Sequence, residues 1–557
     1  MKILIILLFI LVSQISEAQN ENIPASHPVY YFLNRISTKG IVNGYDNQVL
    51  PLSKSKLQEI FGQIDTQNES LSNSEKEELE IYKSYFNDER FGNSSSQFNL
   101  KRIDKLLLND SNISLYHFQE KEFDLKINPV FSARDIIIDR QKDNLRNSLL
   151  ISYGGELILN YSDWFGIYIN AYNGANIGDR EAAKSDRRVS QSFSFNYTKL
   201  DYFDGTEGYI QLQNKFAKFQ AGRERVLWGS GNINRAVLDF TPQLFDFVKL
   251  DLGYDIFSFN FIHGWLVEKS ETLVVSPTLQ EIRTKPSKYF AVSRFGIKAS
   301  ENLMLGISQS VVYGERPFEL GYLNPFLLWE SAQRSMNDLD NSFLTFDMKY
   351  YATEGVQINS TFMMDDINFE YFFNEKWNKK GNGNLWQFGI QITNPILPSQ
   401  VTLTMEYMQI RPFTFSHPGL QTGLAYTNNG SILCADIEPN SALFSINLDY
   451  FVTPRMRISL LYENYMHGKN VFDNNGYLIK NAGGDVFESY SVFTDEKAEL
   501  LAGDLEVENR YTLLIKYYLS AKINLELFSK YVLLGHNSIN ERNLLIFSTI
   551  SYNTYLY

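Results

Sequence analysis

Three side chains that could bind a carbohydrate lie close together on one glycine-bracketed stretch of the sequence. Arg223 and Arg225 follow Gly222, and Trp228 precedes Gly229. A guanidinium group binds carboxylates, such as those of uronic acids, through paired hydrogen bonds, and an indole ring offers a flat face to a sugar. The same arginines could instead pair with acidic partners across a lumen, with Trp228 as an anchor, because charged lumen walls are ordinary in barrels. Both interpretations remain open.

A second group of charged, polar and aromatic side chains invites the same two interpretations. It consists of Glu315, Arg316, Tyr322, Asn324 and Trp329. Its carboxylate and guanidinium groups suit the recognition of hydroxyls and carboxylates, and its rings suit stacking on sugars. Because Asn324 stands before Pro325, a turn-forming role is favoured there over direct contact with a ligand.

The carboxylates of Asp365 and Asp366 could form a pair for acid–base or calcium chemistry. Adjacent side chains of a strand point to opposite faces, so these two would cooperate only where the backbone turns. Solvation in a loop, or pairing inside a lumen, is therefore the favoured interpretation. Glu406 has polar neighbours on its own face and is expected in a lumen, without an evident catalytic partner. We therefore expect no enzymatic activity.

Other kinds of chemistry have little support in the sequence. The six histidines are scattered without zinc-type spacing, and His417 and His467 have the setting of strand ends or loops. The lone Cys434 excludes an intramolecular disulfide framework and cysteine-cluster metal sites. Phosphate-loop and nucleophile-elbow patterns are missing. A net charge of −13 argues against a nucleic-acid partner. We expect neither metal nor cofactor.

The first residues of the chain indicate export from the cytoplasm. Lys2 is followed by the apolar run Ile3 to Val12 and by Ser16-Glu17-Ala18, the pattern of a secretory signal peptide with cleavage after residue 18. No later apolar stretch approaches the roughly 18–20 residues that a spanning helix needs. The mature chain is therefore expected to be either an exported soluble protein or a transmembrane β-barrel.

The region from 19 to 123 is predicted to hold a small helical bundle and a connector. Ser26 and Ser53 are candidate helix caps, and Ser72 to Glu75 has the spacing of a capping box. Apolar residues then recur at three- and four-residue steps in each segment. Three short helices bury too little surface to stand alone, so we expect them to pack on something larger, in the periplasm.

From 124 to 557 the hydrophobic period changes to two. Val401, Leu403, Met405 and Tyr407 alternate with Thr402, Thr404 and Glu406, and similar segments recur over most of this region. A soluble sandwich would turn the apolar face inward, whereas a membrane barrel turns it outward to lipid.

Aromatic pairs near segment ends, such as Tyr350-Tyr351 and Tyr517-Tyr518, favour the membrane barrel, because aromatic girdles lie at both membrane interfaces. Long polar stretches that alternate with tight turns favour it as well. About 430 residues, at roughly 24 per strand and connection, predict a mainly β fold: an antiparallel transmembrane barrel of about 18 strands with a small N-terminal helical bundle.

Short blocks of sequence, taken in order, resemble the Wzi family of outer-membrane capsule-assembly proteins, in the form found in Bacteroidetes. The blocks are Ser26 to Tyr30 with Phe32 to Arg35 and Gly40, Pro51 to Ser53, Gly222 to Arg225 with Trp228 to Gly231 and Leu238, Glu315-Arg316 with Gly321 to Phe326, Asp365-Asp366, Glu406-Tyr407 with Arg411 to Phe413 and Ser416-His417, and His467-Gly468. Their ordered succession, more than any single block, carries the resemblance.

This resemblance implies an 18-stranded outer-membrane barrel over a periplasmic helical bundle, with a lectin-like role in holding capsular or other surface polysaccharide. It adds Tyr407, Arg411, His417 and His467 to the candidate polysaccharide-binding or lumen residues. The implied partners are surface polysaccharide, outer-membrane lipid and the polysaccharide export machinery, with a monomeric barrel. Two alternatives remain: an outer-membrane component of a gliding-motility or adhesion apparatus, and a porin-like channel.

Overall fold

The computed structural model describes residues 21–86, 95–99, 107, 110, 113–141, 143–191, 195–197, 200–269, 272–275, 281–336, 340–365, 382–394, 400–417, 422–488, 497–536 and 539–554. The predicted signal peptide, residues 1–18, and Asp366 lie outside these ranges. Among the described residues, no helix is both long enough and apolar enough to cross a membrane.

Three helices open the described chain: α1 (Val29–Thr38), α2 (Lys54–Thr66) and α3 (Asn73–Phe86). The predicted cap of α2 is confirmed, since Ser53 Oγ accepts a hydrogen bond from the Lys56 N–H. The predicted capping box of α3 is confirmed as well. The Ser72 N–H donates to Glu75 Oε2 at 2.8 Å, and the Glu75 N–H donates to Ser72 Oγ at 3.3 Å.

The predicted cap of α1 is wrong. The residue before this helix is Pro28, not Ser26, and it makes no side-chain capping bond. Instead, the Val29 N–H donates to Nδ1 of His27 at 3.1 Å. Burial lowers the pKa of His27 to about 3, so the imidazole stays neutral and keeps the lone pair that accepts this bond.

Eighteen antiparallel strands form the closed wall of a barrel, as the sequence predicts. They are β1 (Phe123–Arg140), β2 (Arg146–Tyr161), β3 (Phe165–Gly178), β4 (Leu200–Gln213), β5 (Ala217–Arg223), β6 (Asp246–Tyr254), β7 (Phe257–Leu266), β8 (Lys288–Ser300), β9 (Leu303–Gly314), β10 (Asn341–Thr353), β11 (Val356–Asp365), β12 (Gly383–Thr393), β13 (Val401–Ile410), β14 (Ser441–Thr453), β15 (Met456–Lys469), β16 (Asp504–Tyr518), β17 (Ile523–His536) and β18 (Ile539–Tyr552). Each strand pairs with the next, and β18 pairs with β1 to close the ring, with Ile546 opposite Ile137.

The apolar side of each alternating segment faces outward. In β13, Thr402, Thr404 and Glu406 are buried inside, whereas Tyr407 on the other face is exposed. In β4, Ile210 is among the exposed apolar side chains, while its neighbour Gln211 is fully buried. A barrel with an apolar outer face and a polar inner face is one of the two arrangements compatible with the two-residue period, and the one that the aromatic pairs favour.

The two ends of the barrel differ, and we call them the turn end and the loop end. At the turn end, two-residue turns join Tyr254 to Phe257 and Ser300 to Leu303. At the loop end, long connections join β5 to β6, β7 to β8, β9 to β10 and β13 to β14. In outer-membrane barrels, short turns face the periplasm and long loops face outward.

The connections carry short elements of their own. The helices are α4 (Arg180–Ala183), α5 (Arg187–Ser190), α6 (Leu320–Leu323) and α7 (Trp329–Met336). The short strands are Val49–Leu50 paired with Leu227–Trp228, Thr272–Val275 with Glu281–Thr284, Thr427–Asn428 with Ser431–Ile432, Val471–Phe472 with Leu478–Lys480, Ser95–Phe98 with Tyr116–Glu120, and Phe195–Tyr197 against β4.

The helical bundle is seated in the mouth of the barrel at the turn end. The Gly355 N–H, in the turn after β10, donates to the Thr38 carbonyl at 2.7 Å. Gln391 of β12 is bonded to both α1 residues Asn34 and Thr38 at 2.7 Å. The Arg457 guanidinium lies 3.6 Å from the centre of the Tyr31 ring. The bundle therefore packs on the barrel, as its small core requires.

Candidate functional site

Two connections fold into the lumen from the loop end. We call residues 224–245 the first inner loop and residues 411–417 with 422–440 the second inner loop. The Asp239 N–H donates to the Leu433 carbonyl at 3.0 Å, and the Ala435 N–H to the Arg235 carbonyl at 3.0 Å. Tyr426 Oη donates to the Val237 carbonyl at 2.9 Å. The two loops thus form one hydrogen-bonded unit inside the barrel.

An apolar core surrounds this unit. Val237 and Leu433 are fully buried, and inward side chains of β6 to β15 pack around them. The wall contributes Phe247, Ile262, Phe290, Val292, Val312, Phe343, Met363, Leu385, Met408, Ile410, Leu443 and Tyr465. Close packing of this kind leaves few voids larger than a water molecule. This side of the lumen is therefore filled.

Glu406 holds the first inner loop to the wall. Its carboxylate accepts hydrogen bonds from three successive backbone N–H groups, those of Asn232, Ile233 (3.1 Å) and Asn234 (3.0 Å). Charge-assisted bonds to backbone N–H groups are about twice as strong as neutral ones. Gln387 adds a 2.7 Å bond to the Asn234 carbonyl. Glu406 lies in the lumen, and its carboxylate anchors the first inner loop.

The first inner loop also reaches the N-terminal segment, so that it bridges the lumen. Trp228 is paired in a two-stranded sheet with Val49, and the Gly229 N–H donates to the Gln48 carbonyl at 2.8 Å. Arg235 donates to the Asn47 carbonyl at 3.0 Å. Because Trp228 is only 1% exposed, its ring is part of the core and offers no face to a sugar.

Several other predicted site residues bond to connections at the loop end. Asp365 Oδ2 accepts the Phe415 N–H at 2.6 Å, inside the second inner loop. His467 Nε2 donates to the Gly484 carbonyl at 2.8 Å. His417 is buried, and Arg411 donates to the Ala498 carbonyl at 3.0 Å. The structure therefore gathers these four side chains at the loop end of the lumen.

The two predicted arginines near Trp228 do not point into one binding site. Arg223 pairs with Asp246 at 2.8 Å, and both side chains are exposed to a large extent. Arg225 is buried, and its guanidinium donates to the Pro242 carbonyl. Tyr407 lies on the outer face of β13, opposite to its neighbour Glu406. The expectation of a joint carbohydrate site at 223–228 is thus not met.

A groove at the loop-end rim brings two predicted residues together. It is a cavity of about 610 Å³ lined by Pro286, Ser287, Tyr289, Glu315, Arg316 and Pro317. We call it the rim groove. Ser287 stands just before β8 and Glu315 just after β9, and the Glu315 N–H donates to the Ser287 carbonyl at 2.8 Å. Both side chains are exposed.

Within the rim groove, the guanidinium of Arg316 is already engaged. It makes a bidentate pair with Asp340 at 2.6 and 2.9 Å, and its Nε donates to Glu319 at 3.2 Å. It also lies 5.2 Å from the centre of the Tyr313 ring. The predicted binding of a uronate by this arginine would have to break the Asp340 pair. The groove instead presents the exposed carboxylate of Glu315, a hydrogen-bond acceptor suited to hydroxyl groups.

The other members of this predicted group lie on the outside of the wall. Residues 315–336, which we call the outer flap, fold back over the outer face of β7 to β9. Tyr322 and Trp329 are buried there, with Trp329 1% exposed. The Asn324 carbonyl accepts the Trp329 Nε1–H at 3.1 Å, and Asn324 Oδ1 accepts the Phe326 N–H, which confirms a turn role. The expectation that Tyr322 and Trp329 line a lumen is wrong, because the flap turns outward.

Sequence reasoning missed the residues that hold the inner loops together, above all Arg235. This side chain stands four residues before Asp239, whose carboxylate accepts the Arg235 N–H at 2.8 Å. The only sequence signal for this role was that Arg235 and Asp239 flank an apolar run in a loop. Among the residues that the structure describes, no group of three or more His, Cys, Asp or Glu side chains could hold a metal ion.

Comparison with solved structures finds β-barrels of the same fold. The chain is similar to Wzi of Escherichia coli, described as a carbohydrate-binding β-barrel involved in group 1 capsule assembly. The TM-score is 0.54 at 11% identity, over 96% of this chain and 99% of that one. At this identity the likeness is one of fold.

Two porins are also similar over part of the chain. Pseudomonas aeruginosa OccK8 (OprE) gives a TM-score of 0.42 at 8% identity, over 76% of this chain and 98% of that one. Acinetobacter baumannii OccAB1 gives 0.41 at 10% identity, over 77% and 96%. No family model and no curated protein matches the sequence.

Proposed function

We propose that this protein is a non-enzymatic outer-membrane barrel that binds surface polysaccharide at the rim groove. The observation that carries the proposal is the position of Glu315 and Ser287, both exposed at the loop end, beside a lumen side filled by folded loops. Hydroxyl-rich chains suit an exposed carboxylate and hydroxyl edge. The fold likeness to Wzi, described as carbohydrate-binding, supports the same role.

The chemistry of the groove limits the class of polysaccharide that it can bind. The guanidinium of Arg316 is paired with Asp340 and Glu319, whereas the carboxylate of Glu315 is exposed. The groove therefore favours neutral or amino-bearing sugars over uronates. The net charge of −13 acts in the same direction, because an acidic surface repels a polyanion. This preference revises the expectation of uronate binding by arginine.

The test is retention of the producing cell's own extracted surface polysaccharide on the purified, detergent-solubilised barrel. We expect Glu315→Ala to weaken binding at least about tenfold, the loss of one charged hydrogen bond. Glu330→Ala is the matched control, because Glu330 is an exposed carboxylate of the outer flap that pairs with Arg334 away from the groove. Equal binding by both variants, or no binding by the wild-type chain, would refute the proposal.

A deletion strain separates this proposal from its alternatives. Loss of cell-bound but not secreted polymer is the expected result. Normal polymer retention with impaired spreading would indicate a motility or adhesion role instead. Steady single-channel conductance of the wild-type barrel in a planar bilayer would indicate a channel.

A further inference from the structure

The outer flap has an unusual pattern of exposure for a surface loop. Large apolar side chains are among its most exposed: Leu320 is 76%, Leu328 72% and Phe326 69% exposed. Phe318 and Leu327 are exposed as well. Arg316 at the rim, in contrast, is paired with Glu319 and Asp340. Contiguous exposed apolar groups of this kind mark an interaction surface.

The flap lies against the part of the wall that faces away from the lumen. Phe259 of β7 belongs to the outward-facing set, since Ile262 and Leu266 of the same strand point into the lumen core. The ring of Phe326 stacks on Phe259 with centroids 5.0 Å apart. Phe259 is seven residues from the end of β7, roughly 24 Å along the strand. The flap therefore reaches well below the rim.

Polar side chains of the outer wall bond to the flap as well as to neighbouring wall residues such as Ser293 and His263. Gln309 of β9 donates to the Leu327 carbonyl at 2.8 Å and accepts the Trp329 N–H at 3.1 Å. Tyr313 Oη accepts the Glu319 N–H at 3.2 Å. An unsatisfied polar group in lipid costs several kcal/mol, so these bonds suit a flap that shields the wall from hydrocarbon.

We propose that the outer flap is inserted into the bilayer from its outer side, with Leu320, Phe326 and Leu328 in contact with lipid acyl chains. The apolar surface of the flap is continuous with the outward belt of the wall, where Phe295 and Ile307 are exposed beside it. This continuity identifies lipid as the occupant. The inference requires a membrane-inserted barrel but not the binding of polysaccharide.

The test uses single cysteines labelled with a fluorophore in the full chain, reconstituted in vesicles of brominated phosphatidylcholine. The variants are Leu320→Cys and Leu328→Cys. Ile307→Cys on the bare outer wall is the lipid control, and Asn475→Cys, exposed in the loop-end hairpin, is the water control. The wild-type chain is the blank, because its Cys434 is buried.

We expect labels at 320 and 328 to lose fluorescence to brominated chains as the label at 307 does, and to resist aqueous iodide. Quenching by iodide, as at 475, would place the flap in water and overturn the proposal. Protection from both quenchers would mean that protein, such as a second copy, covers the flap, and would also overturn it. If the label at 307 is not quenched by lipid, the membrane premise itself fails.

Discussion

The lumen of this barrel has two contrasting sides. On the packed side, strands β6 to β15 enclose the two inner loops in an apolar core. On the charged side, β1, β16 and β17 present ionised groups: Arg134 pairs with Asp186 at 2.8 Å and with Glu526 at 3.5 Å, and Lys516 pairs with Glu526 at 2.9 Å. One wall thus uses two ways of filling its interior.

The two sides differ in the force that predominates, although the packed side also holds buried pairs such as Arg294 with Asp347 at 2.7 Å. Apolar packing on the packed side is insensitive to salt and depends on close fit. Buried ion pairs on the charged side stabilise little in net terms, but breaking one leaves an uncompensated charge. Mutations that remove one partner of an interaction should therefore affect the two sides differently. A different measurement detects the effect on each side.

The largest effect is expected from Glu406→Ala on the packed side. The change leaves the N–H groups of residues 232–234 without their acceptor and should destabilise the first inner loop by roughly 4–5 kcal/mol. Hydrogen exchange of these amides should rise, and bilayer conductance should increase. Thr402→Val, an inward change on the same strand, is the control. Unchanged exchange would show that the loop is held by packing alone.

Next comes Arg134→Met on the charged side. It leaves Asp186 and Glu526 without this partner and should lower the free energy of unfolding by roughly 3–4 kcal/mol, as for other broken buried pairs. Urea unfolding of the barrel in vesicles measures this change in the free energy of unfolding. Amides of the first inner loop should keep their protection, since they lie on the other side; their loss would mean that the two sides unfold as one unit.

A smaller effect on the packed side depends on pH. Burial, with Asp485 and Asp436 nearby, raises the pKa of Glu438 to about 7. Because the pKa of Glu438 in the folded protein lies above its ordinary value, the contribution of this group to stability is fully present below about pH 4.5. That contribution is lost as the pH rises through 7. Loss of about 2–3 kcal/mol is expected between pH 5 and 9. Glu438→Gln should abolish this pH dependence. An unchanged slope of stability against pH in the variant would assign the pH dependence to another group.

The charged side should show the opposite dependence. Burial opposes the ionisation of Asp186, but Arg188 and Arg134 outweigh it and hold the pKa of Asp186 well below its usual range. The contribution of Asp186 to stability is present above about pH 4 and is lost as the pH falls further. Asp186→Asn should be less stable at neutral pH and should flatten the acid limb of a melting-temperature profile. An equally steep acid limb in the variant would contradict this assignment.

The wall could be predicted from the sequence because one local rule governs it. The alternation from Val401 to Tyr407 fixes which side of the strand is apolar, and the length of the region gives the number of strands. Capping at Ser53 and Ser72 is equally local. Each of these features depends on residues that are near in sequence.

The site could not be predicted in the same way. The two long connections at 224–245 and 315–336 both carry aromatic side chains without a period, yet one folds into the lumen and the other onto the outer wall. Trp228 and Trp329 end up buried on opposite sides of the sheet. Which side a connection packs on depends on distant wall residues such as Glu406 and Gln309, and no local pattern encodes it.

The smallest effect is expected from an exposed ion pair near the charged side. Lys184 donates to Glu181 at 2.6 Å on α4, and both side chains are more than half exposed. Exposed pairs gain little because water screens them and two long side chains must be ordered. Lys184→Ala should leave the melting temperature unchanged, in contrast to Arg134→Met. A drop comparable with that variant would mean that charge itself, rather than burial of the charge, stabilises this side of the lumen.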